Sequence, residues 1–191
     1  MYKTLKKQRY QDDAGYAIEP LRKQDMELIR VWRNEQMDIL RQQKPLSEAD
    51  QVKYYDEVIK PSFSEDYPRQ ILFNILLNDK LIGYGGLTYI DWISKKAEIS
   101  FIIDTKRNSD KGLLKEDFSH FLKLLLIVTF KELRFHRLLS ENYDNRKELI
   151  EVLIKHGFIL EGILRDHMLK DNKWVNSHIY AILENEALKY V

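Results

Sequence analysis

Glu98 lies in KAEISFIID, a run dense enough in β-branched and aromatic residues (Ile99, Phe101, Ile102, Ile103) to predict a largely buried strand. A carboxylate in such a strand is costly unless solvated or paired, which marks it as a candidate proton acceptor. Tyr84, Tyr89, Asp91 and Trp92 gather just before it and could hold a polar, ring-shaped ligand by stacking. Buried tyrosines of a mixed sheet fit the same pattern. Gly83, Gly85 and Gly86 in the same stretch suggest close backbone approach by a ligand or a neighbour. Earlier, Trp32-Arg33-Asn34 offers a guanidinium that could grip a phosphate through two parallel hydrogen bonds. Trp32 also reads as a core anchor and Arg33 as a solvated helix charge. Lys106, Arg107 and Lys111 surround Gly112 ahead of a long helix. A loop that opens a helix presents unsatisfied N–H groups and positive potential to an anion, although a basic loop also simply faces water.

Several chemistries are excluded. The chain has no cysteine, hence no disulfide, thiolate metal site or cysteine nucleophile. His120, His136, His156, His167 and His178 fall on separate elements with no ligand spacing, so no metal site is expected. Lys and Arg number 31 against 30 Asp and Glu, a balance that supplies no global field for nucleic acid or an anionic membrane. The expected partner is a small molecule. The N-terminal MYKTLKKQRYQDD lacks the apolar core of a secretory signal, and no apolar run reaches the ~18 residues of a membrane span. A cytoplasmic protein is expected.

The elements that must position these residues follow from periodicity. Tyr16 to Leu21 predicts a first strand. A helix from about Lys23 or Asp25 carries Met26, Ile29, Val31, Trp32 and Met37 on its apolar side, and a second runs from the cap at Ser47 through Val52, Tyr55 and Ile59 until Pro61. Gln70–Leu77 and Leu81–Ile90 predict a hairpin about Asn78-Asp79-Lys80. After the Glu98 strand, Leu114, Phe118, Phe121, Leu122, Leu125, Val128 and Leu133 cover one face of a long helix. HRLLSENY predicts a strand. Asn145 and Glu148 predict a capped helix ended by Gly157, and two strands follow around a turn at residues 170–173.

The ending Ile154-Lys155-His156-Gly157-Phe158, then Glu161-Gly162-Ile163-Leu164-Arg165 and the hairpin into Trp174-Val175-Asn176-Ser177, resembles the C-terminal half of the GNAT acyl-CoA N-acetyltransferases. The resemblance covers about residues 16 to 185. It is nearest the ribosomal-protein N-terminal and the amino-sugar-nucleotide acetyltransferases. It implies an α/β fold, a mixed central sheet of about seven strands with helices on both faces and a splayed central strand pair. The implied organisation is an N-terminal extension (1–15) and one acetyltransferase domain (16–191).

What the resemblance implies for the site is specific. Acetyl-CoA is the co-substrate, expected beside Ile102 and Ile103, with Arg107, Lys111, Gly112, Leu113 and Arg146 at its phosphates and arm. The family's Arg/Gln-x-x-Gly-x-Gly/Ala loop is altered here: Ser109 and Leu114 replace the Arg/Gln and the last Gly/Ala, and the loop lies four residues early, about one helical turn. Glu98 resembles the family's general base. The usual tyrosine acid is replaced by Leu153, and Tyr143 is the nearest alternative. Trp32, Arg33, Asn34, Tyr84, Tyr89 and Trp92 would form the acceptor site. The expected function is N-acetylation of a small amine, most readily an amino-sugar nucleotide. The alternatives are a protein N-terminus as acceptor, or a binding module that has lost catalysis. Self-association as a homodimer is left open.

Overall fold

The computed structural model describes residues 1–170 and 172–190. In chain order its elements are β1 (Tyr10–Gln11), β2 (Tyr16–Pro20), α1 (Met26–Glu35), α2 (Glu48–Tyr54), α3 (Lys60–Ser62), β3 (Ile71–Leu77), β4 (Lys80–Asp91), β5 (Lys96–Ile103), α4 (Thr105–Ser109), α5 (Lys111–Leu126), β6 (Arg137–Tyr143), α6 (Lys147–Lys155), β7 (Ile159–Lys170), β8 (Lys173–Leu183) and α7 (Glu184–Ala187). The strands form one mixed sheet ordered β1-β2-β3-β4-β5-β6-β8-β7. The strand beyond the expected set is β1, and the segment before residue 16 also buries Tyr2, Leu5 and Tyr10 in the core.

Alternation along the strands divides the interior into two clusters, as the period of two requires. Ile71, Phe73 and Ile75 of β3 join Phe118, Phe121, Leu122 and Leu125 of α5. Leu72, Tyr84 and Ile102 point the other way, against Met26, Ile29 and Trp32 of α1. Helices therefore cover both faces, and β3 is apolar except for Asn74 because both its faces are buried; the Asn74 amide donates to Asp25 Oδ2 at 2.6 Å. The clustered glycines of β4 answer to neighbours: a Cβ on Gly85 would stand 2.9 Å from Phe121 Cζ.

The sheet's one parallel pair matters most. Lys96, Ala97 and Glu98 of β5 pair with Arg137, Leu138 and Leu139 of β6, and there the pairing stops. Each strand nevertheless continues. β4 holds β5 as far as Ile103, and β8 holds β6 as far as Tyr143. The two central strands are thus drawn apart by their outer partners, which is the expected splay.

Other expectations need correction. The second helix does not stop at Pro61: α2 passes through a π turn at Tyr55–Ile59 into α3, which contains the proline and ends at Ser62. Val52, expected on the apolar face, is exposed, and Gln51 is buried instead. Helix α6 begins at Lys147 with no side-chain cap. Glu148, expected to close a capping box, pairs instead with Lys111 at 3.0 Å. Of the predicted turn at 170–173, Asp171 lies outside the described residues. No helix among the described residues is long and apolar enough to cross a membrane.

Candidate active site

A cavity of about 400 Å³ opens where β5 and β6 part. Ser100 and Ile102 line it from one strand, Glu141 and Tyr143 from the other, with Leu40 on the α1 side and Leu149 on the α6 side. The opening therefore passes through the sheet.

Glu98 sits at its root. Paired residues of parallel strands project to the same face, so Leu139, the partner of Glu98, puts Glu141 and Tyr143 on that face too. The Glu98 side chain is 16% exposed, enough to be reached from the cavity. Burial raises its pKa, a nearby Glu141 adds to the rise, and Arg41 opposes it. Glu141 was not singled out from the sequence, nor was Arg41, and the structure joins them: Arg41 Nη2 lies 2.7 Å from Glu98 Oε1 and 2.7 Å from Glu141 Oε2. A signal for Glu141 existed, since SENY sets polar residues at the end of an apolar strand. Arg41 lies in an irregular stretch and carried none.

Tyr143 is 5% exposed and its hydroxyl has no hydrogen-bond partner among the described residues. Burial raises its pKa, so it stays protonated at neutral pH. An orphaned buried hydroxyl is costly unless something else bonds it. Arg146 also lines the cavity. Its side chain donates at 3.3 Å to Asn108 Oδ1, and burial lowers its pKa to about 10, which still leaves it cationic.

The loop expected to hold a pyrophosphate is arranged differently. The segment before Gly112 forms a separate helix α4, capped by Asp104, whose carboxylate accepts from Lys106 N and Arg107 N, and α5 already begins at Lys111. Asp110 caps α5 and accepts from Gly112 N at 2.9 Å and Leu113 N at 3.0 Å. Arg107 turns back to the fully buried Asp117, which also accepts from Tyr16. Lys111 is the one that meets Glu148. Arg107, Lys111 and the amides of Gly112 and Leu113 are thus all engaged within the protein. Ile102 lines the cavity, whereas Ile103 belongs to the α5 cluster and its carbonyl accepts from Gln36 Nε2 at 2.9 Å.

The acceptor residues divide similarly. Trp32, 3% exposed, is packed in the α1 cluster. Arg33 reaches the cavity but donates to Tyr84 OH and to Gln42 Oε1, and Asn34 ties Gln42 and the Leu46 backbone. Tyr84 is buried. Trp92 lies away from the cavity, its indole donating to Pro68 O at 2.8 Å and its ring edge-on to Phe135. Of these four aromatics only Tyr89 faces the opening, under the Arg41 guanidinium at 5.8 Å.

Residues 18–179 match the sequence model of a family described as an acetyltransferase (GNAT) domain. Among solved structures, the spermidine N-acetyltransferase of Vibrio cholerae in complex with CoA and spermine is 18% identical, with a TM-score of 0.79 over 92% of this chain and 99% of that one. A dodecameric form of the Vibrio cholerae spermidine N-acetyltransferase, in an intermediate state, is also 18% identical, with a TM-score of 0.76 over 92% and 98%. A search of curated proteins gives no match.

Proposed function

The chain belongs to the GNAT acetyltransferase family and is an N-acetyltransferase that uses acetyl-CoA; we propose that it acetylates a small aliphatic amine in the opening between β5 and β6, with Glu98 as base and Tyr143 as acid. The observation that carries this reading is the separation of the two strands beyond Glu98 and Leu139, with a half-buried carboxylate and an orphaned phenol facing the same gap. Unpaired strand backbone, a through-sheet cavity, the Tyr143 hydroxyl and the underpaired Arg146 suit the arm and phosphates of acetyl-CoA. When bound, acetyl-CoA supplies the acetyl group as a thioester.

Glu98 takes a proton from the acceptor ammonium, directly or through one water, and its burial-raised pKa makes it a better base than an exposed carboxylate. Tyr143, held neutral by burial, has its O–H free to give to the departing sulfur. Ser100 and Ile102 wall the site, and exclusion of water there strengthens each electrostatic contact.

An amino-sugar nucleotide, the acceptor expected from the sequence, calls for ring faces and an uncommitted arginine. Trp32, Tyr84 and Trp92 are spent on packing and Arg33 on Tyr84 and Gln42. Two carboxylates on one face suit a cationic chain better, and the polyamine substrates of the similarly folded enzymes support the same choice. A panel of spermidine, an amino-sugar nucleotide and N-terminal peptides, read by CoA release, tests it. Spermidine should lead by at least about tenfold in kcat/KM, roughly 1.4 kcal/mol of transition-state binding. Equal or better turnover of the sugar or the peptides would overturn the acceptor assignment.

A further inference from the structure

We propose that Glu98 and Glu141 together form the seat for the acceptor's ammonium group, and that Arg41 is an internal stand-in which the acceptor must displace. The inference rests on the amine-acetyltransferase reading and adds a residue, Glu141, and a competitor to it. A single nitrogen of Arg41 lies 2.7 Å from a carboxylate on each of the two parted strands, with the Tyr89 ring beneath the guanidinium. Two carboxylates and an aromatic face are the components of an alkylammonium site. Here the cation comes from the chain itself.

Three observations indicate that this occupant is replaceable and that the seat looks onto a ligand. The Arg41 side chain is 42% exposed, so solvent and solutes reach the place it holds. It rides on the irregular stretch after the turn at Met37–Ile39, which is moored by Lys170 Nζ on the carbonyls of Met37 and Leu40 rather than by a helix or strand around Arg41. The seat is not filled by Arg41 alone: Glu141 Oε1 makes no well-formed hydrogen bond, since His167 Nδ1, 3.2 Å away, is engaged with Ser177 Oγ at 2.8 Å. Beside it the Tyr143 hydroxyl, 95% buried with its residue, is also unpartnered. A primary ammonium has three donors. It can satisfy both carboxylates, as Arg41 does, with a third N–H toward the gap, and once Glu98 has taken one proton its nitrogen carries the lone pair that attacks the thioester, which a guanidinium nitrogen, its pair delocalised, does not offer.

If Arg41 leaves with nothing replacing it, two carboxylates face each other in a partly desolvated site, a repulsion that a positively charged ligand relieves. The seat therefore selects amines that arrive as cations. Glu98 then removes the proton, while Glu141 keeps the chain in place, which makes Glu141 a positioning residue.

The test is calorimetric titration of the CoA-bound protein with 1,4-diaminobutane, which needs no turnover. Removing the competitor in Arg41→Gln should tighten diamine binding by roughly fivefold or more, Arg41→Lys should restore the wild-type affinity because its ammonium takes the same place, and Glu141→Gln should weaken binding by about tenfold or more, the worth of one charged hydrogen bond. Weaker or unchanged binding in Arg41→Gln would mean that Arg41 only braces the two carboxylates, and the stand-in idea falls. Should Glu141→Gln fold poorly, the Arg41 pair decides alone. The parent reading fails differently: the wild type would then bind no CoA when titrated with CoA itself and release none from acetyl-CoA with any amine.

Discussion

The gap between β5 and β6 and the corner where α4 meets α5 are finished to different degrees. In the gap between β5 and β6 the polar groups are incompletely partnered: the Tyr143 hydroxyl and one oxygen of Glu141 lack hydrogen bonds, and Arg146 has one long one. At the corner of α4 and α5 the side chains of Arg107 and Lys111 and the amides of Gly112 and Leu113 are taken, by Asp117, Glu148 and Asp110. Buried polar groups in folded proteins are almost always satisfied. Among the described residues Asn74 Oδ1 in β3 is also unpartnered, but it does not line the gap; unmet demand that faces the gap suits a ligand, whereas the engaged groups of the corner must exchange an internal partner for any phosphate they receive.

The largest expected effect lies in the gap. Glu98→Gln should lower turnover by about a hundredfold or more at neutral pH, the usual worth of a general base, while acetyl-CoA affinity stays nearly constant. The pH profile carries the sign. In the proposed mechanism Glu98 acts as the carboxylate, and burial raises its pKa, so wild-type activity should fall as pH drops through a value above that of an ordinary glutamate. The variant should lack that acidic limb, and its deficit should shrink at high pH, where more amine is already neutral. An unchanged profile in Glu98→Gln would remove the chemical distinction between gap and corner.

How much of this was readable beforehand follows from the range of the interactions. The Glu98 strand, the faces of α5 and the β3–β4 hairpin rest on periods of two and of three to four residues, and these are local. The turn at Asn78 and Asp79, both with positive φ, is local as well. The Arg41 contacts span 57 and 100 residues, and no nearby pattern announces them. Asp110 is the instructive case. An aspartate ahead of Lys111-Gly112-Leu113 is an ordinary helix cap, yet attention to the glycine as a phosphate contact hid the carboxylate that already holds those N–H groups. Trp32 was legible as a core anchor, since Met26 and Ile29 share its helix face, whereas the packing of Trp92 was not, because the Phe135 ring it meets comes from a distant part of the chain.

A smaller effect should come from Arg146, which stands between the two regions. Replacing it by Met keeps the bulk and removes a guanidinium whose burial lowers its pKa to about 10. Loss of a charge-assisted contact to a phosphate should raise the KM for acetyl-CoA by about tenfold with kcat little changed. Stability should hold or improve, since a partly desolvated charge with one weak partner contributes little to folding. A steep fall in melting temperature with KM unaltered would class Arg146 with the internally satisfied groups of the corner.

The smallest effect tests the corner itself. Asp110→Asn keeps the cap, since asparagine and aspartate cap helices about equally, but removes a negative charge from the N–H groups of Gly112 and Leu113. A pyrophosphate that approaches α5 meets that charge and is repelled by it. The helix-end interaction is worth about 0.3–1 kcal/mol at the surface, so Asp110→Asn should bind CoA roughly two- to fivefold more tightly. The gain should diminish as salt screens the repulsion. Melting temperature should stay close to the wild type because the hydrogen bonds to the two amides persist. If affinity does not change at low salt, the phosphates lie away from the start of α5, and Arg146 with the unpaired strand backbone must hold acetyl-CoA from the gap side.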